Sequence, residues 1–518
     1  MYPGAHVATQ PDKPAVIMAD TGAAVSFAEL ESQSARLARY LHGLGVRKGD
    51  HIALISDNDP RVFDVYWAAM RSGLYITAIN RHLMPAEVGY IVDDCEARVV
   101  VASAALKDVA ADVAQASGGV EFFLSFGGAI DGYTELHAAL EDISDEPLDE
   151  QPRGADMLYS SGTTGRPKGI EPSLPDREVH EPGDTMVGLA SSVWGMTSET
   201  VYLSTAPLYH AAPLRTAASV QALGGTVVVM PKFDAETALT YIERHRITHS
   251  QWVPTMFVRL LKLPDEVRSR YDTSSLKAAI HAAAPCPIDV KRAMIDWWGP
   301  ILLEYYSSTE LAGMTSITSE EWLRKPGSVG KDGLVGIVRI CGPDGRELAA
   351  GEIGDVYFER DVMPFAYHND PVKTRAAQHP DHENWSTTGD VGFLDADRYL
   401  FLTDRSTFMI ISGGVNIYPQ EIENALAAHP KILDIAVIGA PDEEMGESVL
   451  AVVQLVPGVE PSDDVAEEIL VSAREKLARY KVPRRVVFAT DLPRTPTGKL
   501  VKGDLRSAYG EPRSVRLG

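Results

Sequence analysis

Two hydrophobic periods alternate along most of this chain. Ser26 followed by Glu29 is a capping-box pattern, and Leu30, Leu37, Leu41 and Leu44 then recur at helical spacing, with Gly43 and Gly45 ending the element. The run His51-Ile52-Ala53-Leu54-Ile55-Ser56 reads as a short buried strand stopped by Asp57-Asn58-Asp59-Pro60. Further on, Gly224-Gly225 leads into the β-branched run Thr226-Val227-Val228-Val229-Met230. The last hundred or so residues repeat the alternation. Pro419 opens a helix with Ile422, Ala425 and Leu426 on one face, strands are expected around 435–438 and 449–455, a helix over about 463–478 carries Val465, Ile469, Ala473 and Leu477, and a strand lies around 486–488. This alternation predicts an α/β fold with largely parallel sheets and a small independent α/β domain at the end. The boundary is expected near 404–408, giving domains over 1–404 and 405–518.

Length and charge narrow the picture. A chain of 518 residues, 45% hydrophobic and 23% charged, has ordinary globular composition and is too long for one core. A formal net charge of −24 argues against a nucleic-acid partner, so an anionic substrate must be met by a few placed cations. The three cysteines, Cys95, Cys286 and Cys341, stand in no metal-ligand spacing, which fits a reducing cytoplasm. The first residues lack a signal-peptide pattern, and no apolar run approaches the roughly 20 residues needed to span a bilayer. A cytoplasmic protein without an integral membrane segment is expected.

The strongest chemical signal is Tyr159-Ser160-Ser161-Gly162-Thr163-Thr164-Gly165-Arg166-Pro167-Lys168-Gly169. Its glycines let backbone N–H groups turn toward an anion, its hydroxyls add donors, and Lys168 adds a mobile charge. It is not a Walker A loop, because Gly169 rather than Ser or Thr follows the lysine. A second motif is Tyr305-Tyr306-Ser307-Ser308-Thr309-Glu310, which offers an aromatic for a base, a hydroxyl for a phosphate and a carboxylate for Mg²⁺. The remaining motifs are Ser386-Thr387-Thr388-Gly389-Asp390, then Asp404-Arg405 with Ser412-Gly413-Gly414-Val415-Asn416, and finally Pro493-Arg494-Thr495-Pro496-Thr497-Gly498-Lys499. Taken singly, each of these also describes an ordinary turn or solvated loop.

In this order, over roughly residues 10–505, the motifs resemble the adenylate-forming superfamily of acyl-CoA synthetases, luciferase and peptide-synthetase adenylation domains. The similarity is closest to bacterial, including mycobacterial, fatty acyl-CoA ligases. It implies a large N-terminal domain of α/β subdomains with a β-barrel-like part, and a small mobile C-terminal α/β domain. It also implies ATP, Mg²⁺ and CoA acting on a small carboxylic acid, and a homodimer is common in such families. Residue by residue, it places Ser160, Ser161, Gly162, Thr163, Thr164, Gly165 and Lys168 around the phosphates. Tyr306 falls on the adenine, Thr309 on the α-phosphate, Glu310 on Mg²⁺, and Asp390 and Arg405 on the ribose. Lys499 falls between the acyl carboxylate and the α-phosphate. His210, in Pro207-Leu208-Tyr209-His210, falls beside the acyl and thiol channels. Trp252, His281 and Ala283 fall on the acyl side, and Gly413 and Gly414 on the passage for the CoA arm. The expected acids are fatty acids first, then aryl or alicyclic, including sterol side-chain, acids.

The chain departs from the family at the hinge. Thr407 and Phe408 stand where a charged pair is usual; Thr407 falls on the pivot, and an exposed Phe408 would alter docking of the small domain. Two alternatives follow: a ligase that passes the acyl group to a carrier protein, and a sensor that binds without turnover. No extra segment of the kind found in acyl-AMP ligases is evident, which favours CoA, and the retained Glu310, Asp390, Arg405 and Lys499 argue against the sensor.

Overall fold

The computed structural model describes residues 1–160, 167–405, 408–412, 415–442, 445–494 and 500–509; for Ser160, Asp404, Arg405 and Asn416 it describes the backbone alone. The first predicted helix runs Phe27–Gly43, closed at its start by the expected capping box: Ser26 N donates to Glu29 Oε2 at 2.8 Å and Glu29 N to Ser26 Oγ at 3.2 Å. The predicted strand His51–Ile55 is buried at every position, as a parallel strand covered on both faces must be.

Among the described residues, two large sheets form the body of the molecule. One has nine strands. Its central run, from Pro14–Met18 through Thr226–Val229, Val201–Ser204, His249–Trp252 and Ala278–His281 to Leu302–Ser307, is parallel, and antiparallel strands close both edges. The other is a parallel sheet of six, centred on Ala97–Ser103, His51–Ile55 and Tyr75–Ile79 and ending on Ala155–Asp156. The part expected to be barrel-like contains an antiparallel meander of Ile337–Cys341, Gly354–Glu359, Trp385–Leu394 and Leu400–Arg405. Beside it, Leu158–Ser160, Lys168–Glu171 and Ala366–Tyr367 make a three-stranded antiparallel sheet.

The terminal segment folds as the periodicity predicts, with shifted bounds. Pro419–Leu426 is a helix, the strand expected over 435–438 extends over Ile432–Asp442, and Gly446–Leu455 pairs with it antiparallel. The helix expected to about 478 ends at Lys476, because Leu477 is already extended at φ −124° and ψ 150°. The strand Arg485–Phe488 adds in parallel to Gly446–Leu455.

Candidate active site

The stem of the phosphate-loop motif is a hairpin. Lys168 pairs with Ser160, and Gly169 with Tyr159, so the two strands that flank the motif run antiparallel. Ser161, Gly162, Thr163, Thr164 and Gly165 lie outside the described residues. Gly169 is required by a close approach: a Cβ there would stand 2.6 Å from Met157 Cε and 3.0 Å from the Tyr159 ring. The stem is pinned from outside, where Tyr159 OH donates to Asp94 Oδ2 at 2.6 Å. Lys168 Nζ lies 5.1 Å from the centre of the Tyr367 ring, within cation–π range.

The second motif meets this hairpin. Tyr306 sits near the end of Leu302–Ser307, and its hydroxyl donates to Asp390 Oδ2 at 2.6 Å. Thr388 Oγ1 donates to the same oxygen at 3.1 Å. Glu310 accepts a hydrogen bond from Tyr367 OH at 3.0 Å, so Lys168, Tyr367 and Glu310 converge. Asp390 pairs in register with Arg405 on the next strand. That register depends on a bulge: Gly392 pairs with Leu402 and Val391 with Asp404, leaving Thr403 out of the ladder with its Oγ1 donating to the Val391 carbonyl at 3.0 Å. Among the described residues no cluster of three or more His, Cys, Asp or Glu could hold a metal by itself. A lone carboxylate such as Glu310 nevertheless suits Mg²⁺, which keeps its waters and takes one or two carboxylates beside substrate phosphates.

His210 immediately precedes the helix Ala211–Ala222, and its side chain makes no capping bond to it. The turn before it is held by Asn58, whose Oδ1 accepts from Leu208 N at 2.9 Å while its Nδ2 donates to the Met230 carbonyl at 2.7 Å. The His210 ring packs on Tyr209 with centroids 4.4 Å apart, and its enclosed Nε2 meets no hydrogen-bond partner among the described residues. Burial, reinforced by His82, holds its pKa down at about 3, so the ring is neutral at any working pH.

The other acyl-side candidates divide. Ala283 holds the left-handed φ of 75° and lines, with Ala284 and Pro285, a cavity of about 240 Å³. Tyr306 and Asp390 line the same cavity from the large domain. His281 is fully buried behind Glu304, 3.7 Å away, and burial with Lys291 keeps it well below its usual pKa. Glu304 in turn pairs with the fully buried Lys291 at 2.5 Å. Trp252 lies in the core: its indole N–H donates to Ser250 Oγ at 2.7 Å and its ring packs with Phe257 and Trp298. The later residues of the Trp252-Val253-Pro254-Thr255 run, Pro254 and Thr255, are the ones that line the cavity.

The small domain closes this cavity with Phe408, Glu423, Asp434, Arg494 and Lys502. Phe408 is half-buried rather than exposed as expected, because Lys502 Nζ sits 5.4 Å over its ring. Lys502 also pairs with Glu423 at 2.9 Å, and Arg494 with Asp434 at 2.5 Å. Thr407, Gly413, Gly414 and Lys499, and the side chain of Arg405, lie outside what is described. Sequence reasoning missed Tyr367, Lys502 and Arg215. Arg215 alone left a trace, as a lone charge in the otherwise uncharged helix Ala211–Ala222.

Residues 4–365 match the family of AMP-binding enzymes, and residues 421–499 match the AMP-binding enzyme C-terminal domain. The long-chain-fatty-acid–CoA ligase FadD13 of Mycobacterium tuberculosis is 33% identical over 511 residues, covering 96% of this chain and 95% of that protein. A feruloyl-CoA synthase of an Amycolatopsis species is 33% identical over 504 residues, covering 94% and 95%. Among solved structures, the anthranilate CoA ligase AuaEII in complex with anthranoyl-AMP superposes with a TM-score of 0.86 at 26% identity, covering 98% of this chain and 96% of that one.

Proposed function

The chain belongs to the AMP-binding enzyme family and is an AMP-forming acyl-CoA synthetase, and we propose here which residues carry its two half-reactions and which acids it takes. The observation that carries the assignment is the convergence of Lys168, Tyr367 and Glu310 beside the Tyr306–Asp390 pair. Adenine stacks on Tyr306, the ribose hydroxyls take Asp390 and Arg405, and the phosphates lie along the 161–167 loop with Lys168 and the Thr309 hydroxyl. Glu310 holds Mg²⁺, which when bound offsets phosphate charge.

Two anions must meet for adenylation. Unit charges 4 Å apart repel by about 4 kcal/mol at an effective dielectric of 20, so cations at the point of attack lower the barrier directly. Lys168 serves the phosphates, and Lys499 bridges the acyl carboxylate and the α-phosphate. The carboxylate oxygen attacks the α-phosphorus, pyrophosphate leaves, and acyl-AMP remains. The small domain, residues 405–518, then turns on Thr407, withdrawing Lys499 and bringing Gly413-Gly414 to the passage for the pantetheine arm. The CoA thiol attacks the acyl carbon, the acyl–phosphate C–O bond breaks, and AMP departs with that electron pair while the thiol proton passes to the departing phosphate or to solvent. His210, neutral and weakly basic, orients groups at that carbon as a hydrogen-bond acceptor and is too weak a base to hold the thiol proton.

The acid is a fatty or aryl acid, a range supported by relatives named for long-chain fatty acids and for feruloyl-CoA. No helix among the described residues is long and apolar enough to cross a membrane, and we place the reaction in the cytoplasm. An acid panel tests the assignment. Acid-dependent ATP–pyrophosphate exchange without CoA, and a thioester once CoA is added, is the expected result. Exchange with no thioester for any productive acid overturns the choice of CoA as acceptor.

A further inference from the structure

We propose that Arg215 is a positioning residue for adenylation, a single nearly enclosed guanidinium that ties the segment leading into the phosphate-loop hairpin and the Thr309-Glu310 turn into one frame. Its Nε donates to Asp156 Oδ2 at 2.7 Å, and its Nη2 lies at the same distance from that oxygen. Its Nη1 donates to the Thr309 carbonyl at 3.2 Å. Both charged side chains are nearly enclosed, Arg215 at 10% and Asp156 at 14% exposure.

The placement of the three partners gives these bonds their meaning. Asp156 ends the edge strand of the six-stranded sheet, and Leu158–Ser160, the first arm of the phosphate-loop hairpin, begins two residues later. Thr309 follows the nine-stranded sheet's strand Leu302–Ser307 and precedes Glu310. Arg215 itself stands on the helix that starts from His210. One side chain thus joins two sheets, linking the residue that leads into the hairpin's first arm with the turn carrying the Thr309 and Glu310 side chains. A planar fork of donors grips the carboxylate and the carbonyl in fixed directions; an ammonium keeps the charge and loses that geometry.

The proposal rests on the roles given above to Thr309 and Glu310, so the experiment includes Glu310→Gln as a control for that assignment. The decisive variant is Arg215→Lys, which keeps a cation opposite Asp156 so that the pair is not broken outright. ATP–pyrophosphate exchange is expected to fall about 100-fold, as for a misplacement on the order of 1 Å at a reacting centre. The fall should appear in kcat more than in the KM for the acid. Thioester formation from synthetic acyl-AMP should change less than about threefold, since that step needs no pyrophosphate departure. Asp156→Asn, which keeps an acceptor for the fork, should lose less exchange activity than Arg215→Lys. Wild-type exchange in Arg215→Lys overturns the proposal, as does an equal loss of both half-reactions with a lowered melting temperature. Should Glu310→Gln leave exchange untouched, the site assignment itself fails, and the two failures are told apart.

Discussion

The two halves of the cleft are held together by different means. On the large-domain side the functional groups are fastened across separate sheets: Tyr306 to Asp390, Glu310 to Tyr367, and Thr309 through Arg215 to Asp156. On the small-domain side the charges are paired within the domain, Arg494 with Asp434 and Lys502 with Glu423. Across the cleft, Lys262 Nζ donates to the Ile432 carbonyl. Stranding a buried charge is costly, whereas a paired one travels as a near-neutral unit. On the reading proposed above, the bonds between sheets fix the large-domain groups in one geometry, while the described charges on the small-domain face, Arg494 and Lys502, keep their partners within their own domain.

The sharpest way to break this comparison is Lys499→Ala. Adenylation should fall by at least about 100-fold, the cost of losing a placed electrostatic group at a developing charge, while thioester formation from synthetic acyl-AMP stays largely intact. Equal loss of both half-reactions in single-turnover assays would place Lys499 with the fixed half. Next in size is Asp390→Ala, expected to raise the KM for ATP about 10- to 100-fold by removing charge-assisted bonds to ribose, measured by exchange at saturating acid. It should leave the KM for CoA near its original value.

His210 sharpens the comparison on the fixed side. Its folded pKa of about 3 lies below the unfolded value near 6.5, so as pH falls through that window the unfolded chain takes up a proton that the native state does not. This group's contribution to stability is present above about pH 6.5 and declines toward pH 3. His210→Gln should flatten that part of the urea-midpoint against pH curve; an unchanged slope would show a ring already protonated in the fold. The smallest effect belongs to Lys262→Ala. One half-buried bond to a carbonyl is worth about 1 kcal/mol, so the ratio of the two half-reaction rates should shift about fivefold and the melting temperature little.

Local features were legible in the chain because their partners are neighbours in sequence. The Ser26–Glu29 box and the face of Pro419–Leu426 follow from spacing alone. The phosphate-loop motif was legible because hydroxyls, glycines and a lysine crowd into one stretch. Arg215 was not, since its partners lie 59 and 94 residues away. Trp252 shows the opposite limit: the sequence set it near the acyl side, while its indole is packed among Phe257, Trp298 and Ser250. Phe408 looked exposed because Lys502, which covers it, is separated from it by most of the small domain.

The bulge at Thr403 sets a phase. In an unbroken ladder running on from Gly392 and Leu402, Asp404 would stand opposite Asp390, one acid paired with another in the register. Leaving Thr403 out of the count advances the strand by one and brings Arg405 to that place. The same letters in the same order would then pair Asp390 with residues of opposite charge, according to whether one threonine is inside the ladder or outside it. A chain that kept the Asp-Arg pair while ironing out this step would retain the motif and lose the pairing of Arg405 with Asp390.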